Sequence, residues 1–247
     1  MLNEQEINQF HTQGYLLSGE VGAVADQLPA QETFKRMLAR PGLARDHALD
    51  RHLDDPTTYR LCTLPQILER VADLLGPDLL LWHTRYFDKP AGGPPIPWHQ
   101  DAPFWPIDKK KCVSVWLALE DVQESNGAVM VVPGSHKMPL PQVRSAGTGR
   151  FHRKADITGV DVSSATPLTL RRGEFYLFHS WLLHRSDSNR SSDSRLAIAM
   201  QFIPPEVRID LERPKRRIPG YGVLLVRGED RLRLNPHASV PTHRASK

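Results

Sequence analysis

His99-x-Asp101 is a pair whose residue types and spacing could hold a metal ion. In an extended chain, alternate side chains point to one side, so His99 and Asp101 can converge while Gln100 points away. Two ligands do not make a site, and with 11 histidines in the chain a chance His-x-Asp is common. A third ligand must come from elsewhere. The segment Phe178-His179-Ser180-Trp181-Leu182-Leu183-His184 offers two histidines near the end of a strand. Arg195 follows His184 by eleven residues and opens the run Arg195-Leu196-Ala197-Ile198-Ala199-Met200-Gln201. There Leu196, Ile198, Met200 and Phe202 share a core side, and Arg195, Ala197, Ala199 and Gln201 the other. A buried arginine is costly unless it meets an anion, and the two alanines leave room for a ligand. Two histidines and a carboxylate with open positions form the facial triad of non-heme Fe(II) oxygenases. An arginine fork matches a carboxylate bidentately, which suggests 2-oxoglutarate as co-substrate, chelated to iron at one end and paired with Arg195 at the other.

These residues need strands to carry them, and the chain after Gly76 reads as strands. Leu79–Phe87 is one. Cys112–Leu119 alternates, with Val113, Val115, Leu117 and Leu119 on one side and Ser114, Trp116 and Ala118 on the other. Asn126-Gly127 signals a hairpin leading into the strand Ala128–Val132, which Pro133-Gly134 ends. Leu168–Leu170, Glu174–Phe178, Arg195–Ile203 and Val223–Val226 follow. Residues 90–97 form a proline-rich loop that feeds Trp98-His99-Gln100-Asp101. Before Gly76, helices are expected at 3–13, capped by Asn3 and stopped by Gly14, at 65–75, and more weakly at 20–39. The expected fold is mainly β (α+β): an antiparallel sandwich or barrel with N-terminal helices packed outside, one domain over 1–247, its tail loosely ordered after about Asn235.

Composition narrows the class. The 247 residues are 40% hydrophobic and 24% charged, an ordinary globular balance. The 21 prolines, roughly 8.5% against an average of about 5%, argue against a helical bundle. Two cysteines, Cys62 and Cys112, make no disulfide framework and fit a reducing, cytoplasmic location. No apolar run approaches the ~18 residues of a membrane span. The acidic N-terminus has no signal-peptide core, so no membrane partner is expected. The net charge of +4 permits acidic partners without demanding them. The basic runs Lys109–Lys111, Arg171-Arg172 and Lys215–Arg217 read as solvated loop faces, not as a nucleic-acid stripe.

The sequence resembles the phytanoyl-CoA dioxygenase-like branch of the Fe(II)/2-oxoglutarate-dependent oxygenases over roughly residues 4–203. The resemblance rests on Trp98-His99-Gln100-Asp101, Val115-Trp116-Leu117-Ala118-Leu119, Asn126-Gly127 and Pro133-Gly134-Ser135-His136. It continues through Gly173-Glu174, Phe178-His179, His184-x-Ser186, Asn189-x-Ser191 and Arg195. It implies a double-stranded β-helix, a jelly-roll or cupin-like barrel. It also implies His99, Asp101 and His184 as iron ligands, Arg195 as the 2-oxoglutarate partner, Ser186 as a second contact, and Arg85 facing the co-substrate. Trp116 faces the interior, where it either touches co-substrate or packs. The sixteen-residue spacing from His179 to Arg195 disfavours His179 as the distal ligand, and His136 reads as structural. Phe104 and Trp105 border substrate or cover the barrel mouth.

The implied function is a dioxygenase that uses Fe(II), 2-oxoglutarate and dioxygen to hydroxylate a small molecule, with release of succinate and carbon dioxide. Desaturation, epimerisation and demethylation are alternatives within that chemistry. A nucleic-acid demethylase is disfavoured because Gln201 stands where such enzymes carry a second arginine, and a non-oxygenase cupin-like protein is disfavoured by the inward Arg195. Arg85, Lys109–Lys111 and the basic balance point toward an anionic substrate. Much of residues 137–167 matches no block of the family pattern.

Overall fold

The computed structural model describes residues 1–17, 26, 28–44, 46, 48–109, 111–145 and 153–242. Helix α1 (Glu4–Gln13) starts as expected: Asn3 accepts from the Glu6 N–H while the Glu6 carboxylate accepts from the Asn3 N–H. Gly14 ends it in the left-handed region at φ 81°. Within the weaker helical stretch, Gln31–Ala39 forms α2, and residues 20–25 and 27 lie outside the described residues. The short helix α3 (Pro56–Cys62) was not expected, although Asp55 caps it and Pro56 opens it. Helix α4 (Pro65–Leu75) buries Ile67, Leu68, Val71 and Leu75 on one face, as the periodicity predicts.

The described residues form twelve strands, the first preceding α2. They are β1 (Tyr15–Leu17), β2 (Leu79–Lys89), β3 (Ile96–His99), β4 (Val113–Ala118), β5 (Val129–Val131) and β6 (Gln142–Arg144). Then come β7 (Arg153–Ala155), β8 (Thr166–Leu168), β9 (Phe175–His179), β10 (His184–Ser186), β11 (Arg195–Ile203) and β12 (Leu224–Arg227). One antiparallel sheet has the order β1-β9-β4-β11-β2-β12, a second β3-β10-β5-β8, and β6 and β7 form a separate ribbon. A short helix, α5 (Glu212–Arg217), lies between β11 and β12. The mainly β, jelly-roll expectation holds. Among the described residues no helix is long and apolar enough to cross a membrane.

Strand alternation decides what each face does. Val113, Val115, Leu117, Leu196, Ile198, Met200 and Phe202 join the large core with Phe10, Phe34, Ile67 and Val71 of the helices. The opposite face supplies Trp116, Ala118, Ala197, Ala199, Tyr176 and Phe178, which pack against Val129, Val131 and Leu168 of the second sheet. Both faces of β11 are therefore covered, and all nine of its residues are buried.

One expectation fails locally. Asn126-Gly127 is not a hairpin: Glu124–Asn126 is a single 3-10 turn closed by Gln123 and Asn126, and Gly127 takes φ 85°. The strands on either side, β4 and β5, belong to different sheets, so the turn carries a crossover. Described residues at and after Asn235 contact the core, and 243–247 of the expected loose tail lie outside the described residues. The Asn235 side chain accepts from the Ile209 N–H and donates to the Val207 carbonyl, and the Ala238 N–H bonds the Val223 carbonyl.

Gly14 couples α1 to the sheet, since its carbonyl accepts from the His179 N–H at 2.8 Å. A β-carbon there would collide with the His136 ring and face a positive φ. Gly14→Ala is therefore expected to cost about 2 kcal/mol or more, strain plus clash. The shift of the urea midpoint at unchanged slope measures it.

Candidate metal centre

His99 closes β3 and His184 opens β10, and the two are direct partners in the antiparallel pair. Their ring centroids lie 4.0 Å apart. Asp101 reaches the same point by a different route from the one expected. The chain does not stay extended but turns at Asp101 (φ −73°, ψ −39°), at the head of a 3-10 turn over Ala102–Phe104. Its Oδ1 lies 3.6 Å from His99 Nε2 and 4.0 Å from His184 Nε2. One ligand atom from each of the three lies within 4.8 Å of the others, a set that could hold a metal ion. Gln100 points away into the protein, where its amide donates to the Met138 and Trp181 carbonyls and accepts from the Leu140 N–H.

Both rings are set up as nitrogen ligands. His99 Nδ1 lies 2.8 Å from the Pro97 carbonyl, and His184 Nδ1 lies 2.9 Å from that of Leu182. A carbonyl only accepts, so each Nδ1 donates and each Nε2 keeps its lone pair toward Asp101. Burial lowers both imidazoles to about 4, helped at His99 by the charge of His184 and opposed by Asp101. Burial raises the Asp101 carboxyl, against the pull of His99, His83 and Arg85. Neutral nitrogens and one carboxylate are the donor set a divalent iron takes.

His179 lies elsewhere. It accepts from the Trp181 N–H, and its ring is 5.2 Å from that of His136, which contacts the His11 carbonyl through Nε2.

The triad lines a cavity of about 530 Å³ between the sheets. Arg195, Ser186, Arg85 and Trp116 all line it too. Arg195 is 2% exposed, its Nη2 donates to the Gly127 carbonyl at 3.1 Å, and its guanidinium sits 5.2 Å from the centre of the Trp116 ring. Trp116 in turn stacks on Tyr176 at 5.4 Å and 16°. Arg195 Nε is buried without a hydrogen-bond partner, and no carboxylate pairs with this arginine among the described residues. Burial lowers the guanidinium to about 10, so it stays charged at neutral pH. Arg85 is in phase with Phe87 on β2, facing inward, and lies 3.7 Å from Asp46.

Lys89 was missed. It is the register partner of Arg195, is 6% exposed, and donates through Nζ to Ser186 Oγ at 2.9 Å and to the Asp187 carbonyl at 2.5 Å. The Ser186 oxygen accepts this bond, which leaves its own O–H available to donate. Burial, then repulsion from Arg195, lowers the ammonium to about 8. The signal for it was present: Lys89 follows Arg85 and Phe87 at a period of two.

The family description for phytanoyl-CoA dioxygenase (PhyH) matches residues 2–197. Peroxisomal phytanoyl-CoA dioxygenase from Bos taurus is 33% identical over 160 residues, which cover 60% of this chain and 47% of that protein. A probable alpha-ketoglutarate-dependent hypophosphite dioxygenase from Stutzerimonas stutzeri is 29% identical over 154 residues, 59% of this chain and 54% of that one. The chain spans about half the length of these curated relatives. Among solved structures, the apo form of the non-heme monooxygenase ThoJ aligns with a TM-score of 0.79 at 30% identity, covering 95% of this chain and 88% of that chain. With its own strand order and facing histidines in place, the chain belongs to the phytanoyl-CoA dioxygenase family.

Proposed function

We propose that the protein is an Fe(II)/2-oxoglutarate-dependent dioxygenase that hydroxylates an anionic small molecule in the cytoplasm. The observation that carries this reading is the sharing of one cavity by the His99–Asp101–His184 set and a buried, carboxylate-free Arg195. When bound, iron with 2-oxoglutarate and dioxygen supplies the oxidising chemistry, with succinate and carbon dioxide as by-products. The protein holds, orients and shields. His99 and His184 present neutral Nε2 atoms, and Asp101 contributes a negative charge. Arg195 takes the distal carboxylate, its Nε gaining a partner that the fold does not provide. Ser186 donates its hydroxyl to the same carboxylate, and Lys89 adds a second positive charge behind it. Trp116 and Tyr176 form the stacked wall along this end.

The anionic preference rests on charge. Arg85, Arg153, Arg185 and Arg213 also line the cavity, and Asp101 is the only carboxylate among its described lining residues. A cleft lined by one sign of charge concentrates the opposite sign. The Stutzerimonas stutzeri relative is named for hypophosphite, an anion.

Three measurements test the reading. First, His184→Ala is expected to weaken Co(II) or Fe(II) binding well beyond the roughly 10- to 100-fold of an outer-shell change, and His179→Ala to leave it unaltered. Equal losses in a metal titration would exclude the His184 assignment. Second, Arg195→Lys is expected to weaken 2-oxoglutarate roughly 10- to 150-fold with metal affinity retained, because lysine cannot form the fork. Third, Lys89 titrates near 8, so its charge is present below that pH and is lost above it. Affinity for 2-oxoglutarate should be full at pH 7 and decline as pH rises through about 8. A bound anion raises the lysine pKa, so the decline levels off at the pKa of the complex. Lys89→Met should bind more weakly at pH 7 and show no such decline. A decline that persists in the variant would assign the titration to another group.

A further inference from the structure

The cavity has a second polar end that the metal and the co-substrate do not use. On β2 and β11, His83 and Gln201 are register partners, and both side chains line the cavity. Gln201 lies six residues along β11 from Arg195, roughly 20 Å at about 3.3 Å per residue. The anion-holding end and this end are thus opposite ends of one strand.

Gln201 is 4% exposed, and its Oε1 is buried without a hydrogen-bond partner. A buried amide oxygen that faces a cavity unpaired is costly, and a ligand donor can relieve that cost. His83 is held from behind. Its Nδ1 lies 2.5 Å from Asp50 Oδ1, which also accepts from the Thr84 N–H at 3.2 Å. Asp50 is 1% exposed and adopts the left-handed region (φ 52°, ψ 31°), unusual for a residue other than glycine. Behind it, the buried His52 contacts the Thr84 hydroxyl through Nδ1 at 2.9 Å. A strained, buried carboxylate therefore fixes one nitrogen of His83. The other, Nε2, makes no hydrogen bond among the described residues and belongs to a ring on the cavity wall. Charge links this end to the triad, because His83 and Arg85 both act on the Asp101 carboxyl.

We infer that His83, positioned by Asp50, and Gln201 form a two-acceptor station for the substrate, with Nε2 and Oε1 each taking a hydrogen bond from a hydroxyl or N–H group. The substrate class is then an acidic molecule bearing hydroxyl or amino groups, not a bare alkyl chain. A site built to bond a hydroxyl rejects the analogue that lacks it, because its polar atoms are left unpaired. The inference rests on the proposed oxygenase reading for the statement that substrate occupies this cavity. The bonding station itself requires neither iron nor 2-oxoglutarate.

The test uses the full chain without added metal, so a failure of the oxygenase reading leaves the readout intact. Histidine ring 15N spectra are recorded while gluconate or hexanoate is titrated in. The two are six-carbon monocarboxylates that differ in hydroxylation. Gluconate is expected to shift the His83 Nε2 resonance and to bind at least about tenfold more tightly than hexanoate. Gln201→Leu, close in volume, should bring the two to within about threefold, and Gln201→Asn should restore part of the difference. His83→Gln gives a second route to the same comparison if the leucine variant folds poorly. Hexanoate binding as tight as gluconate, no gluconate shift in the wild type, or a His83 ring protonated at Nε2 in the unliganded protein would each overturn the station.

Discussion

The arrangement depends on one pairing, His184 opposite His99 across β10 and β3. A one-residue slip in a strand turns every side chain to the other face. A slip here would remove one imidazole from the cavity and leave Asp101 with a single nitrogen partner. The register is held on both sides, because β10 also pairs with β5, setting His184 against Val131 and Ser186 against Val129. The same three residues of β10 therefore present a candidate metal ligand and a candidate co-substrate contact. That is why His184 and Ser186 stand two apart on one short strand.

Charge burial is the opposing constraint. Lys89 and Arg195 are adjacent cations in the interior, and each is pushed toward its neutral form by burial. Their surroundings offer carbonyls, a hydroxyl and an aromatic face in place of a paired carboxylate. Gly127 makes this possible. A β-carbon there would press on the Asp187 carbonyl and the Lys89 side chain, and its own carbonyl takes the Arg195 bond. Asn126-Gly127 thus supports the Lys89–Arg195 pair and not a hairpin, which explains why turn chemistry alone misplaces it. Such a cluster stores unfavourable electrostatics, which a dianion bound as proposed would relieve.

Legibility in the sequence followed periodicity. The alternation of Arg195–Ile203 and of Val113–Ala118 separated the cavity face from the helix-covered face residue by residue. The order of His99, Asp101, His184 and Arg195 marks the candidate site in the sequence itself. Short strands were harder. Tyr15–Leu17, Ile96–His99 and His184–Ser186 are three or four residues long, and pairing partners define them more than side-chain pattern does. Asp101 converged by a backbone turn that His-x-Asp spacing does not reveal. His83 stands two residues before Arg85 on the same face of β2, so the period-two signal reaches it, and the alternation breaks only beyond it, toward Leu81. Asp50 lies 33 residues before His83, and only the fold brings them together.

The six-stranded sheet separates two tasks by face. Its outer face is apolar and buried under α1, α2 and α4, so it answers to packing and tolerates little change in volume. Its inner face carries Arg195, Ala197, Ala199 and Gln201 along one strand and His83, Arg85, Phe87 and Lys89 along the next. Position along the strand becomes position along the cavity. The end at Lys89 and Arg195 is tied to the histidine pair through Ser186, so in the proposed reading a change there would disturb the co-substrate and metal together. The end at His83 and Gln201 is held by Asp50, from a segment outside both sheets. It can change with little effect on the register of β10. In the proposed reading, the two ends of the same two strands then hold different parts of the bound molecules, coupled through the charge of His83 on Asp101.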